Sequence, residues 1–124
     1  MAFTTYVTST VTQGTFTITN TDSYTTDQVS KIQESVATGT ADQEISLAID
    51  ISKLKAFSMQ ASQAMTVKTN SSSTPQETFT LASGSPVVFV DGDTAIFSGD
   101  VTSLFITNAS GSLATFSVIA AIDN

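Results

Sequence analysis

The sequence predicts an all-β protein: a single antiparallel β-sandwich, jelly-roll-like, with an immunoglobulin-like sandwich as the alternative topology. Three observations carry this. Apolar and polar residues alternate with period two along most of the chain, which sends successive side chains to opposite faces of a strand. The residue supply is β-branched and small (Thr, Ser, Val, Ile, Ala), with Phe as the main aromatic, and that set fits a pleated, half-buried surface. Helix signals are scarce. At 124 residues the chain is long enough to bury one real core without disulfide or metal.

The elements follow in order. The first 25 residues are the most Thr-rich and the least strongly apolar. They read either as edge strands of a single domain spanning residues 1–124 or as an N-terminal arm laid on a neighbouring subunit. In the arm reading, Ala2 to Thr12 adds a strand to a neighbour's open edge. Gly14-Thr15-Phe16-Thr17-Ile18-Thr19 alternates with Phe16 and Ile18 inward. Glu44-Ile45-Ser46-Leu47-Ala48-Ile49-Asp50 is the clearest strand, with Ile45, Leu47 and Ile49 on one face. Asp50-Ile51-Ser52-Lys53 reads as a turn. Leu54 to Ala61 has fair helix propensity, but Phe57 and Met59 alternate with Ala56 and Ser58. Propensity is a weak prior, and a strand is expected there. Met65 and Val67, then Phe79 and Leu81, alternate with polar neighbours on either side of the loop Asn70-Ser71-Ser72-Ser73-Thr74-Pro75. Pro86-Val87-Val88-Phe89-Val90 is an unbroken apolar run, expected for a strand covered on both faces. A reversal is expected at Asp91-Gly92-Asp93, and a hairpin joining Leu104–Thr107 to Leu113–Ala120 through Asn108-Ala109-Ser110-Gly111. The count is about eight to ten strands, the number a jelly roll uses.

Composition excludes much chemistry. There is no His, Cys, Trp or Arg, and the only cations are Lys31, Lys53, Lys55 and Lys68. Without His no Ser-His-Asp triad forms, and without Arg there is no bidentate phosphate clamp. The formal net charge is −7, so a nucleic-acid partner and an anionic membrane surface are rejected on electrostatic grounds. Charged residues make up only 12 %, about half the ordinary share. A hydroxyl-rich, weakly charged surface packs against other protein at low desolvation cost. The segment from Met1 to Tyr6 has neither a basic nor an apolar leader region, and no apolar run approaches the ~20 residues of a membrane span.

The candidate sites are weak. Asp91, Asp93 and Asp100 offer hard-oxygen ligands for calcium, but the offsets of a calcium loop and its closing Glu are missing. Asp42, Glu44 and Asp50, or Asp22, Asp27 and Glu34, supply paired carboxylates of the glycosidase kind, without the exposed aromatics of a sugar cleft. Asn70-Ser71-Ser72 and Asn108-Ala109-Ser110 match the glycosylation sequon and read as loop residues. Lys53 and Lys55 beside Asp50 read as a solvated strand end, or else as a positive spot facing a partner's acidic groups. Phe57, Phe97 and Phe105 are the first suspects for an aromatic interface anchor. No catalytic, cofactor-binding or metal-ligating residue is assigned, and no cofactor.

From Glu34 to Asp123 the layout resembles a known group. The segment Asp42-Gln43-Glu44-Ile45-Ser46-Leu47-Ala48-Ile49-Asp50 leads to Leu54-Lys55-Ala56-Phe57. Met65-Thr66-Val67-Lys68-Thr69-Asn70-Ser71 and Leu81-Ala82-Ser83-Gly84-Ser85-Pro86 follow, then the stretch from Asp100 to Gly111. This order is similar to the β-sandwich head-decoration, or cement, proteins of tailed bacteriophages. The resemblance implies a non-enzymatic virion subunit, made in the bacterial cytoplasm. It would bind the outer capsid surface, often as a homotrimer, and clamp adjacent major capsid proteins. Residues 1–33 fall outside it, and it carries over no functional residue. The rivals are a tail, baseplate or fibre component, and a carbohydrate- or calcium-binding β-sandwich module.

Overall fold

The alternation becomes ten strands and no helix in a computed structural model, which describes residues 2–123. Met1, where the stretch read for a leader begins, and Asn124 lie outside the described residues. The strands are β1 (Phe3–Gln13), β2 (Phe16–Thr26), β3 (Gln28–Val36), β4 (Gln43–Ile49), β5 (Leu54–Ala61), β6 (Met65–Thr69), β7 (Thr78–Leu81), β8 (Val87–Val90), β9 (Val101–Thr107) and β10 (Ala114–Ile122). Strands β3 to β10 form two four-stranded sheets, ordered β3-β10-β5-β8 and β4-β9-β6-β7, and every pairing is antiparallel. Those two orders are the jelly roll, two interlocked Greek keys, and they decide against the immunoglobulin-like alternative. Leu54–Ala61 is a strand, as its alternation predicted, and residues 51–53 are the turn before it.

The inner faces supply one core. Ile45, Leu47 and Ile49 of β4, Val67 of β6, and Leu104 and Ile106 of β9 face Phe57 and Met59 of β5 and Phe116 and Val118 of β10, all buried. Phe97, from the link between β8 and β9, is 3 % exposed. It meets the rings of Phe57 and Phe79 edge-on, at centroid distances of 5.2 Å and 5.8 Å. Such T-shaped contacts align a ring edge with a π-face and add to the burial term.

Two expectations fail here for topological reasons. Leu104–Thr107 and Leu113–Ala120 are not a hairpin. Strand β9 pairs with β4 and β6, whereas β10 pairs with β3 and β5, so residues 108–113 cross from one sheet to the other. Asp91-Gly92-Asp93 does turn, closed by Asp93 N–H donating to the Val90 carbonyl at 2.9 Å, but the chain then also crosses sheets. Nor is the run Val87–Val90 covered on both faces. Strand β8 is a sheet edge, and Val88 is 42 % exposed.

Two polar groups hold the links. Asn108, fully buried, donates through Nδ2 to the carbonyls of Val36 (2.9 Å) and Ser112 (2.8 Å). Its Oδ1 accepts from Ser110 N–H (3.1 Å) and Oγ (2.6 Å). Its own N–H donates to Thr40 O, and its carbonyl accepts from Gly39 N–H, both at 2.9 Å. One residue thus ties the β3–β4 link to the β9–β10 link. Glu77, before β7, is the other. Burial pushes its carboxyl up, but donors outweigh this: Ser98 N–H (3.0 Å) and Oγ (2.7 Å), Gln76 Nε2 (3.1 Å) and Thr69 Oγ1 (2.9 Å) hold it below its ordinary 4.5.

Asn108→Ala removes four side-chain hydrogen bonds from a fully buried site. It should lower stability by about 2–4 kcal/mol, measured by urea unfolding. For Glu77 the folded pKa lies below the unfolded one. Its stabilisation is therefore complete above pH 4.5 and lost as pH falls through the lowered folded value. Glu77→Gln should flatten that acid limb in a series of melting curves, and the wild-type chain should retain it.

Candidate interaction surface

The part of the molecule with most to offer a partner lies outside the sandwich. Strands β1 and β2 pair only with each other, in unbroken register from Phe3↔Thr26 to Gln13↔Phe16. The reversal is the two-residue loop Gly14-Thr15. Gly14 has φ +59° and Thr15 is not in the left-handed region, the pattern of a type II′ turn, whose twist matches that of the flanking strands. Residues 3–26 are therefore two strands that pair with each other and join neither sheet of the sandwich. The arm is a hairpin, not a single extended strand from Ala2 to Thr12.

Register sorts the hairpin into two faces. One carries Thr8, Thr10 and Thr12 opposite Thr21, Thr19 and Thr17. Their hydroxyls pair across the strands at 3.1, 3.4 and 3.1 Å, a cross-strand ladder of the kind that stabilises antiparallel ribbons. The other face carries Phe3, Thr5 and Val7 opposite Thr26, Tyr24 and Asp22, then Ser9 opposite Asn20, Val11 opposite Ile18, and Gln13 opposite Phe16. Near its base this second face is partly covered, and Thr26 is buried. There β2 touches β5 and β10, whose outward-facing Ala56 and Ala121 are 2 % and 0 % exposed. Tyr24 sits close to the β8–β9 link. Burial first, and then Asp22, Asp91 and Asp93, raise its phenol above the ordinary 10.0.

From Thr8 to Thr21 every residue is exposed. Val11, Phe16 and Ile18 stand 70, 68 and 60 % exposed. This overturns the inward placement of Phe16 and Ile18, because the strand they alternate on has no second sheet beneath it. The aromatic suspects exchange places in the same way. Phe57 and Phe97 are core and Phe105 is half-buried, whereas Tyr6 and Phe16 are in solvent. Two features of the sequence mark the hairpin. A glycine lies between two mirror-image Thr runs, and residues 1–21 contain no charged side chain.

The other candidates disperse. Asp91 pairs with Lys55 at 3.5 Å, Asp93 accepts from Val90 N–H, and Asp100 accepts from Ile51 N–H. Among the described residues no three acidic side chains gather as metal ligands. Asp42 pairs with Lys68 at 3.4 Å, and Glu44 accepts from Ser103 Oγ. Asp50 caps its turn by accepting from Ser52 Oγ and N–H, which lowers its pKa. Asp22 accepts from Asn20 on the hairpin, and Glu34 lies on edge strand β3. The carboxylates thus serve separate turns, strands and ion pairs. Lys55 is engaged within the chain, and Lys53 lies beside Asp50. The sequon at Asn108 is inaccessible. Asn70, at φ +67°, uses its amide on Asp100 O and on Thr102 N–H and Oγ1.

No family profile and no curated protein sequence matches the chain. Two solved structures are similar in shape. One is a de novo designed double-stranded β-helix, 13 % identical, with a TM-score of 0.47 over 73 % of this chain and 97 % of that one. The other belongs to Bacillus endospore appendages that form a family of disulfide-linked pili, 15 % identical, with a TM-score of 0.38 over 78 % of this chain and 88 % of that one. The jelly-roll assignment stands on the strand order itself.

Replacing residues 9–20 by Asn-Gly, a tight link between Thr8 and Thr21, removes no buried side chain. The melting temperature should move by no more than about 2 °C, the scale of neutral surface changes. A large drop in calorimetry would mean that the tip supports the sandwich.

Proposed function

We propose that this chain is a non-enzymatic structural subunit of a bacteriophage virion, a cement protein on the outer face of the head. It would bridge major capsid proteins there and work as a homo-oligomer, with a trimer as the expected state. The observation that carries the reading is the division of the molecule into a closed sandwich and a projecting arm. The sandwich closes over one apolar core of its own between its two sheets. The arm leaves an apolar face exposed at its tip, with Val11, Phe16 and Ile18 side by side on a hydroxyl-rich hairpin. Exposed apolar patches with polar rims are characteristic of protein–protein contact. The carboxylates support the same reading, since those whose partners are described serve turns, strands and ion pairs, and among the described residues no three gather as metal ligands. Binding of this kind needs little affinity per copy when many symmetric copies act together.

Electron microscopy of particles from a phage encoding the chain tests this. The expected result is density on the outer head, and heads that open at lower temperature when the gene is deleted. Density on the tail, or absence from particles, would overturn the head assignment.

A further inference from the structure

The apolar tip of the hairpin has a physical partner specified by its own chemistry. We propose that the tips of two copies of this chain pack apolar face against apolar face. Val11, Phe16 and Ile18 of each copy would be buried, with the Thr ladders turned outward.

Four observations support a second copy as the occupant. The first is charge. All 15 charged side chains, the 4 Lys and 11 acidic residues, lie at residue 22 or beyond, and the formal charge of −7 belongs to that part. Two bodies repel each other, but two tips do not. The second is reach. Asp22 stands opposite Val7, four positions short of Val11, about 13 Å away along the strand. Its carboxylate accepts from Asn20 Nδ2 at 2.9 Å, so the acidic group nearest the tip already has a partner on its own hairpin. The third is shape. A face built from one hairpin is complementary to itself under a two-fold axis, the commonest arrangement in homo-oligomers. The fourth is stability. A lone two-stranded ribbon is marginal in water and gains from a further layer, and β1 and β2 have no third strand.

The size of the contact sets its strength. A tip five residues long and two strands wide buries less than the ~1,200 Å² of a standard interface. Association in solution is therefore weak and concentration-dependent, and becomes firm only where other contacts already hold copies close.

The absence of cysteine allows a direct test. Single variants Val11→Cys, Phe16→Cys and Ile18→Cys place a thiol on the apolar face. Thr10→Cys and Thr19→Cys place one on the Thr face of the same tip. Under mild oxidation at ~0.1 mM, the apolar-face set should contain a variant that forms covalent dimer about tenfold faster than either Thr-face variant, reflecting millimolar effective concentration. Light scattering should show the wild-type mass rising with concentration. Val11→Thr with Ile18→Thr should suppress that rise at an unchanged melting temperature, which shows the sandwich intact. Equal cross-linking from both faces, or the mass of one chain at every concentration up to ~1 mM, would overturn the proposal. A tip that stays monomeric in solution yet is protected on particles has another partner, which also overturns it. The cross-linking and light-scattering readouts involve no capsid, so failure there leaves the virion reading standing, and failure of that reading leaves this one intact.

Discussion

The molecule depends on one constraint: two sheets must close over a single apolar layer. Period-two alternation in β4, β5, β6, β9 and β10 gives each strand one inward face, and β-branched and aromatic residues on those faces fill the space between the sheets. A sandwich of this kind cannot tolerate a one-residue slip, because that would turn a whole inward set to solvent. The links are pinned accordingly. Asn108 saturates the polar groups where two of them cross at one end. Glu77 gathers Ser98, Gln76 and Thr69 around the links before β7 and β9. Both groups are polar and well partnered, which keeps the cost of their burial low.

Because the body closes on itself, the hairpin is free of structural duty beyond its base. The base still matters locally. It shields Ala56 and Ala121 on the outer face of one sheet, and Tyr24 approaches the carboxylates of the β8–β9 link. Past Thr8 and Thr21 nothing lies beneath the ribbon. Its geometry comes from the tight turn at Gly14 and from hydroxyl pairs between threonines, contacts that need no core. The apolar face is therefore available for a contact between molecules, and its lack of charge makes it compatible with an acidic neighbour.

Strand identity was legible wherever a strand had a buried face. Ile45, Leu47 and Ile49 alternate because a second sheet covers them. The same rule misled at Phe16 and Ile18. Alternation reports that a strand has two different faces, not that one of them is covered. Pairing was less legible than strand identity. Leu104–Thr107 and Leu113–Ala120, with Asn and Gly between them, carry the local signature of a hairpin. The glycine and asparagine instead build a crossing held by Asn108, whose partners at Val36 and Thr40 are far away in sequence. The arm was half visible. Its Thr content and lack of charge set it apart, but whether two strands would meet each other or a neighbour is a matter of tertiary context.

The place of β10 in its sheet bears on how the chain is made. That strand comes after the other nine in chain order, yet it sits between β3 and β5 and supplies the pairing for both. Until residue 122 has emerged, β3 has no partner and β5 lacks one side. Only β1 with β2, and β6 with β7, join strands consecutive in sequence. The other pairings wait on distant segments, and a topology so rich in non-local contacts folds slowly for its size. The nascent chain thus carries unpaired strand edges until β10 has been made. A low content of large apolar residues, and threonine in place of valine on so many outer positions, keep those edges from sticking to one another before the last strand arrives.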